Sequence, residues 1–159
     1  MRSIPILTCL ALIGSLVFRP LAAQGAAGDP CSLLTAQEVS GVLGIKSLPG
    51  RPWLGTSKTS CFFSADTAFD LASRTVTVQI VTPAAFDFGK QMGTKGPLAG
   101  RTAGVGDESY YVGGGSYAKL GVRKGSRAFS ITVTSGGKDT PDQVANLEKA
   151  LAKDAVARL

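Results

Sequence analysis

The chain has 159 residues, 17 of them Lys or Arg and 11 Asp or Glu, a net charge of +6, and no histidine. That length suits one ordinary domain with a real core. The missing histidine excludes Cys/His pairs, Ser/His/Asp triads and histidine metal sites, and the mild charge argues against a dedicated nucleic-acid binder.

Residues 1–23 carry Arg2, an apolar run from Ile4 to Phe18, and then small residues after Arg19-Pro20. This is the pattern of a secretory signal peptide, with cleavage expected between Ala23 and Gly25. The run falls short of the roughly 20 residues that a membrane span needs. The expected product is a secreted or periplasmic chain, residues 24–159, with no stable membrane anchor. Cleavage removes two basic residues and no acidic ones, leaving an excess of four. Cys9 lies too near the N-terminus for lipid attachment, and Cys31 follows Gly28-Asp29-Pro30 instead of the apolar and small residues that acylation requires. The two remaining cysteines, Cys31 and Cys61, are therefore expected to form one disulfide in an oxidising compartment, stapling the N-terminal helix to a strand.

Thr35 and Glu38 form a capping box, with Leu34 and Val39 placed as a hydrophobic staple, and predict a helix over Ala36–Leu43 stopped by Gly44. Residues 45–60, rich in Gly, Pro and Ser, predict a loop carrying Trp53, the single tryptophan, either as a lid over the core edge or as a ligand-stacking ring. Residues 61–65 read as a strand and 67–73 as a connector. Residues 74–81 alternate Val76, Val78 and Ile80 with Thr75, Thr77 and Gln79, which predicts a half-buried strand. Thr82 and Pro83 open a second helix. After a glycine-rich connector, 108–112, 117–123 and 127–134 predict a three-stranded meander. Thr140, Pro141 and Gln143 start a final helix to about Arg158, with Val144, Leu147, Leu151 and Ala155 on one stripe. The sum is an α+β domain of two layers, a mostly antiparallel sheet of about five strands with helices on one face.

The run Asp29-Pro30-Cys31-Ser32-Leu33-Leu34-Thr35-Ala36-Gln37-Glu38-Val39, with Cys61 downstream and Gly104-Val105-Gly106-Asp107-Glu108-Ser109-Tyr110-Tyr111 before the meander, resembles a family of small exported bacterial domains of unknown function. They are abundant as lipoproteins in actinobacteria and more distantly similar to extracellular sensor domains of receptor kinases. The resemblance implies a location and a fold, and carries no reaction with it.

Ser116-Tyr117-Ala118-Lys119 matches the S-x-x-K pair of penicillin-recognising enzymes, but the pair works on one helix face and here enters a strand, where positions three apart point oppositely. Asp107 and Glu108 offer carboxylates for a hydrolase-type general acid or base, the alternative to a binding module. They lack the further oxygens of a calcium loop, and no metal or other cofactor is expected. Lys119, Arg123, Lys124 and Arg127 cluster around one hairpin near Tyr110, Tyr111 and Tyr117. Basic and aromatic residues on an open sheet face suit an acidic polymer, and an exported location makes a cell-envelope polymer or envelope protein the expected partner, not a nucleic acid. The expected function is a non-catalytic binding or sensing module using either the polar sheet face, with Lys119 and Arg123, or the loop around Trp53.

Overall fold

A computed structural model describes residues 28–66, 72–94, 96–114 and 117–159, with Gly114 and Tyr117 described in backbone alone. The expected signal peptide, most of the 67–73 connector and Ser116 lie outside the described residues.

Helix α1 (Ala36–Leu43) has the predicted bounds. Thr35 Oγ1 accepts from the Glu38 amide at 3.2 Å, Glu38 Oε2 accepts from the Thr35 amide at 2.8 Å, and Gly44 ends the helix at φ 65°. Helix α2 (Pro83–Met92) starts from Thr82, whose hydroxyl accepts from the Ala85 amide, and α3 (Pro141–Val156) starts from the Thr140–Gln143 capping box. Each start satisfies amides that have no partner inside the helix.

Six strands form one antiparallel sheet: β1 (Arg51–Pro52), β2 (Ser60–Phe63), β3 (Thr75–Val81), β4 (Glu108–Gly114), β5 (Tyr117–Lys124) and β6 (Arg127–Thr134), in the spatial order β1-β2-β3-β6-β5-β4. The α+β class is as expected, with six strands where the sequence suggested five. The addition is β1, inside the stretch predicted as loop, where Arg51 pairs with Phe62 and Pro52 with Cys61. A two-residue edge strand containing a proline carries no alternation to read.

The register sorts side chains cleanly. Val76 lies beside Val133, Val78 beside Ile131, and Ile131 beside Leu120, so these residues share one face. Pairing also places Cys61, Phe63, Tyr111 and Val122 there. This first face packs under α1 and α3 in the main core with Leu33, Val39, Leu43, Val144 and Leu151. Arg74 fastens the layer, donating to Asp139 Oδ1 at 2.6 Å and Oδ2 at 3.0 Å and to the Leu43 carbonyl at 2.8 Å. The disulfide joins Cys31, in a short 3-10 turn before α1, to Cys61 in β2.

The second face departs from expectation, because α2 covers part of it. Phe86 packs with Tyr110 and Ala128 in a second, smaller core. Thr75 and Ser130 on this face are also buried, so it is not the uniformly wet surface that alternation implied.

Candidate binding face

Antiparallel pairing lays the second face out in rows across the strands. One row holds Val81, Ala128, Arg123 and Glu108, and the next holds Ser60, Gln79, Ser130, Gly121 and Tyr110. Helix α2 leaves β3 at Thr82 and contacts β6, β5 and β4, resting on these two rows. A third row, Arg51, Phe62, Thr77, Thr132, Lys119 and Val112, remains beyond it, with Thr77, Thr132, Lys119 and Val112 half-buried.

The covered rows hold two of the residues that suggested a polyanion site, Arg123 and Tyr110. The Arg123 guanidinium lies 4.8 Å from the Phe86 ring centroid, donates to Asp87 Oδ1 at 3.0 Å and also pairs with Glu108. Glu108 accepts from Lys90 through its other oxygen. The Lys90 hydrogen bond, helped by the charges of Arg123 and Lys90, holds the Glu108 carboxyl below its ordinary range despite some desolvation. Arg123 is thus a clamp between α2 and β4, and its charge is spent on Asp87 and Glu108. Tyr110 meets Phe86 edge-on at 4.9 Å beneath α2, and burial, with Asp87 nearby, raises its pKa. Tyr111 points to the first face, where its hydroxyl donates to the Ala145 carbonyl at 3.0 Å. Burial and the Glu148 carboxyl push it up to about 12, against a lowering by Arg101. Neither tyrosine presents a ring to a ligand, because each of the two faces is covered where it lies. Tyr117 begins β5 at the edge of the meander hairpin.

Lys119 and Trp53 stand differently. Lys119 projects from the third row between Val112 and Thr132 and has no acidic partner among the described residues. Trp53 is half-buried at the β1 edge, its ring edge-on to Phe62 at 5.0 Å, while Arg51 lies over the same Phe62 ring at 5.4 Å. Phe62, absent from the sequence expectations, thereby ties the Trp53 loop to the end of the third row. Its position one residue after Cys61 in a strand was the available clue, since alternation sends Cys61 to the core and Phe62 to the other face.

The carboxylates of the alternative reading line a shallow cavity of about 250 Å³ with Lys90, Thr102, Val105 and Ser109. Asp107 Oδ2 accepts from the Gly125 amide at 2.7 Å and the Asp107 amide donates to the Arg123 carbonyl at 2.9 Å, so this residue closes the β5–β6 turn. Glu108 has both oxygens engaged and a lowered pKa, opposite to the shift that suits a general acid. Among the described residues no group of three or more potential ligands could hold a metal ion, and no helix is long and apolar enough to cross a membrane.

No protein-family model, no curated protein and no solved structure matches the chain.

Proposed function

We propose that the protein is an exported, non-catalytic binding module that holds an acidic cell-envelope polysaccharide across the third row of the second face. Lys119 supplies the charged contact, Thr77 and Thr132 supply hydroxyls, and Trp53, braced on the buried Phe62, forms the rim. The observation that carries this reading is the stretch of the row from Thr77 through Thr132 to Lys119: half-buried hydroxyls beside a cation with no acidic partner among the described residues, next to rows whose Arg123 and Glu108 are paired. Export is supported by the N-terminal pattern and by the disulfide.

The test is retention on an immobilised uronate polymer. Lys119→Glu should abolish it with stability changed by no more than about 0.5 kcal/mol, as expected of a surface position. Retention should fall steeply with added salt. Unchanged retention in Lys119→Glu would remove the row as the contact surface.

A further inference from the structure

Three large apolar side chains stand mostly in water among the described residues, and two of them, Phe88 and Met92, belong to α2. They are four positions apart, so they sit one turn above another on the same side of the helix. Ala84 and Ala85, both exposed, continue the stripe towards the helix start. The stripe faces away from Phe86, which α2 buries against Tyr110 and Ala128. It carries no charge, because the two charged residues of α2 lean back to the sheet: Asp87 onto Arg123 at 3.0 Å and Lys90 onto Glu108. In chain order the stripe runs small, small, large, large.

We infer that the outward stripe of α2 is a self-association surface, on which a second copy of this chain packs through a twofold axis beside Phe88 with the two helices antiparallel. Turned end for end against itself, the stripe sets Met92 of each copy over Ala84 of the other and the two Phe88 rings side by side, so large side chains fill the space that small ones leave. A twofold contact also brings every residue near the axis against its own counterpart, where any charge would repel itself, and this stripe has none. Antiparallel helices add a favourable alignment of positive and negative ends. A lipid surface is a poorer match, since a helix lying on anionic lipid brings free cations along its polar side, and Lys90 is held by Glu108. Area sets the strength. A helix of ten residues spans about 15 Å, and one such face buries well under the roughly 800 Å² per partner of a stable complex. The pair is therefore transient, and it forms independently of anything held on the third row.

The experiment is sedimentation equilibrium of protein lacking residues 1–23, whose apolar run would itself associate; the described fold begins beyond them. From about 10 μM to about 1 mM, the span in which a weak contact fills, the average mass of the parent should rise from one copy towards two. Phe88→Glu sets like charges together at the axis and should hold the protein at the mass of one copy throughout. Phe88→Ala should raise the dissociation constant about tenfold, the scale of one lost apolar contact. Both should melt with the parent in dilute solution, because the ring lies outside the core. Ala84→Glu and Met92→Lys should each weaken the pair, and the two combined should recover it, since antiparallel helices set each new carboxylate beside the other copy's new ammonium group. Lys119→Glu should associate as the parent does. A parent that stays monomeric over this range, a Phe88→Glu protein that still pairs, or a combined variant weaker than either single one would overturn the inference. So would a monomeric parent that sediments with phosphatidylglycerol vesicles through Phe88, which would give the stripe to lipid.

Discussion

Gly89 of α2 stands directly on the Tyr110 ring of β4. A methyl group at Gly89 would overlap the tyrosine hydroxyl and approach Cζ to 2.8 Å, and from below a methyl at Gly121 would approach Cε1 to 2.5 Å. Two glycines on different elements leave the slot that lets α2 lie flat on the second face, so the ring cannot swing away from either. Gly89→Ala should destabilise the protein by about 1–3 kcal/mol through overpacking, although alanine is the better helix former. Adding Tyr110→Phe removes the overlapped hydroxyl and should recover part of the loss. Denaturant melts of the two single variants and the double variant give the coupling, and an additive pair would separate α2 from Tyr110.

Arg123 should behave as part of that same contact. Arg123→Glu places a carboxylate between Asp87 and Glu108 and removes the cation from the Phe86 ring, so it should cost about 2 kcal/mol or more, whereas Lys119→Glu should be nearly silent in stability. Thermal melts of the two reversals side by side decide this; equal, small effects would contradict the clamp.

Much of this architecture is legible in the sequence where local rules act alone. Thr35 with Glu38 and Thr140 with Gln143 announce helices that form from those caps, and the alternation of residues 74–81 announces β3. The side of the sheet chosen by α2 is hidden, because its one buried residue is Phe86 and its close approach is through Gly89, while its larger apolar residues Phe88 and Met92 are 65% and 54% exposed. Once α2 takes the second face, Tyr110 is buried, Arg123 is tied to Asp87 and Glu108, and the expected ligand surface shrinks to the row around Lys119. Tyr111 is a simpler case: strand register sends it to the core, and alternation with Tyr110 implies that only one of the two could have faced a ligand.

Cys31 and Cys61 are 30 positions apart and join the segment before α1 to the second strand of the sheet, with Cys61 fully buried. Replacing both by serine should cost about 3 kcal/mol, part of it from the freed unfolded chain and part from a hydroxyl placed in the core. Reductant should shift the melting of the parent and leave the double variant unmoved. Mass spectrometry before and after alkylation should find no free thiol in native protein lacking residues 1–23.

Acid should loosen the junction between α1 and the end of α3. Glu38 is held at about 2, from an ordinary 4.5, chiefly by Arg158, which donates to both of its oxygens, at 3.0 and 2.5 Å, and to the Leu33 carbonyl at 3.0 Å. A depressed folded-state pKa means that the contribution is present above pH 4.5 and disappears as pH falls towards 2. The pair is partly solvated, so its worth is about 1 kcal/mol. Arg158→Ala should lower stability by about that amount at neutral pH and flatten the decline between these limits; a parallel decline would assign the acid sensitivity elsewhere.

Glu148 should impose the opposite dependence. It lies on the inner stripe of α3 with Val144, Leu151 and Ala155, fully buried against the first face. One oxygen accepts from the Val133 amide at 3.0 Å, and among the described residues the other has no hydrogen-bond partner and no cation pairs with the carboxyl. Burial therefore raises its pKa well above 4.5, opposed by the Val133 hydrogen bond, and its field is felt by the neighbouring Tyr111 hydroxyl. Because the folded state holds the proton more tightly than the unfolded chain, the stabilisation is full below pH 4.5 and is lost as pH rises towards the folded-state pKa. Glutamine has the shape of the neutral acid and keeps the acceptor for Val133. Glu148→Gln should match the parent in acid and exceed it at alkaline pH, with the gap widening as pH rises. Glu148→Ala also escapes the pH dependence but leaves a buried amide without an acceptor, at a cost of about 1–3 kcal/mol. Stability measured across pH for all three proteins tests the assignment, and identical pH profiles for the parent and Glu148→Gln would show that this carboxyl does not titrate with unfolding.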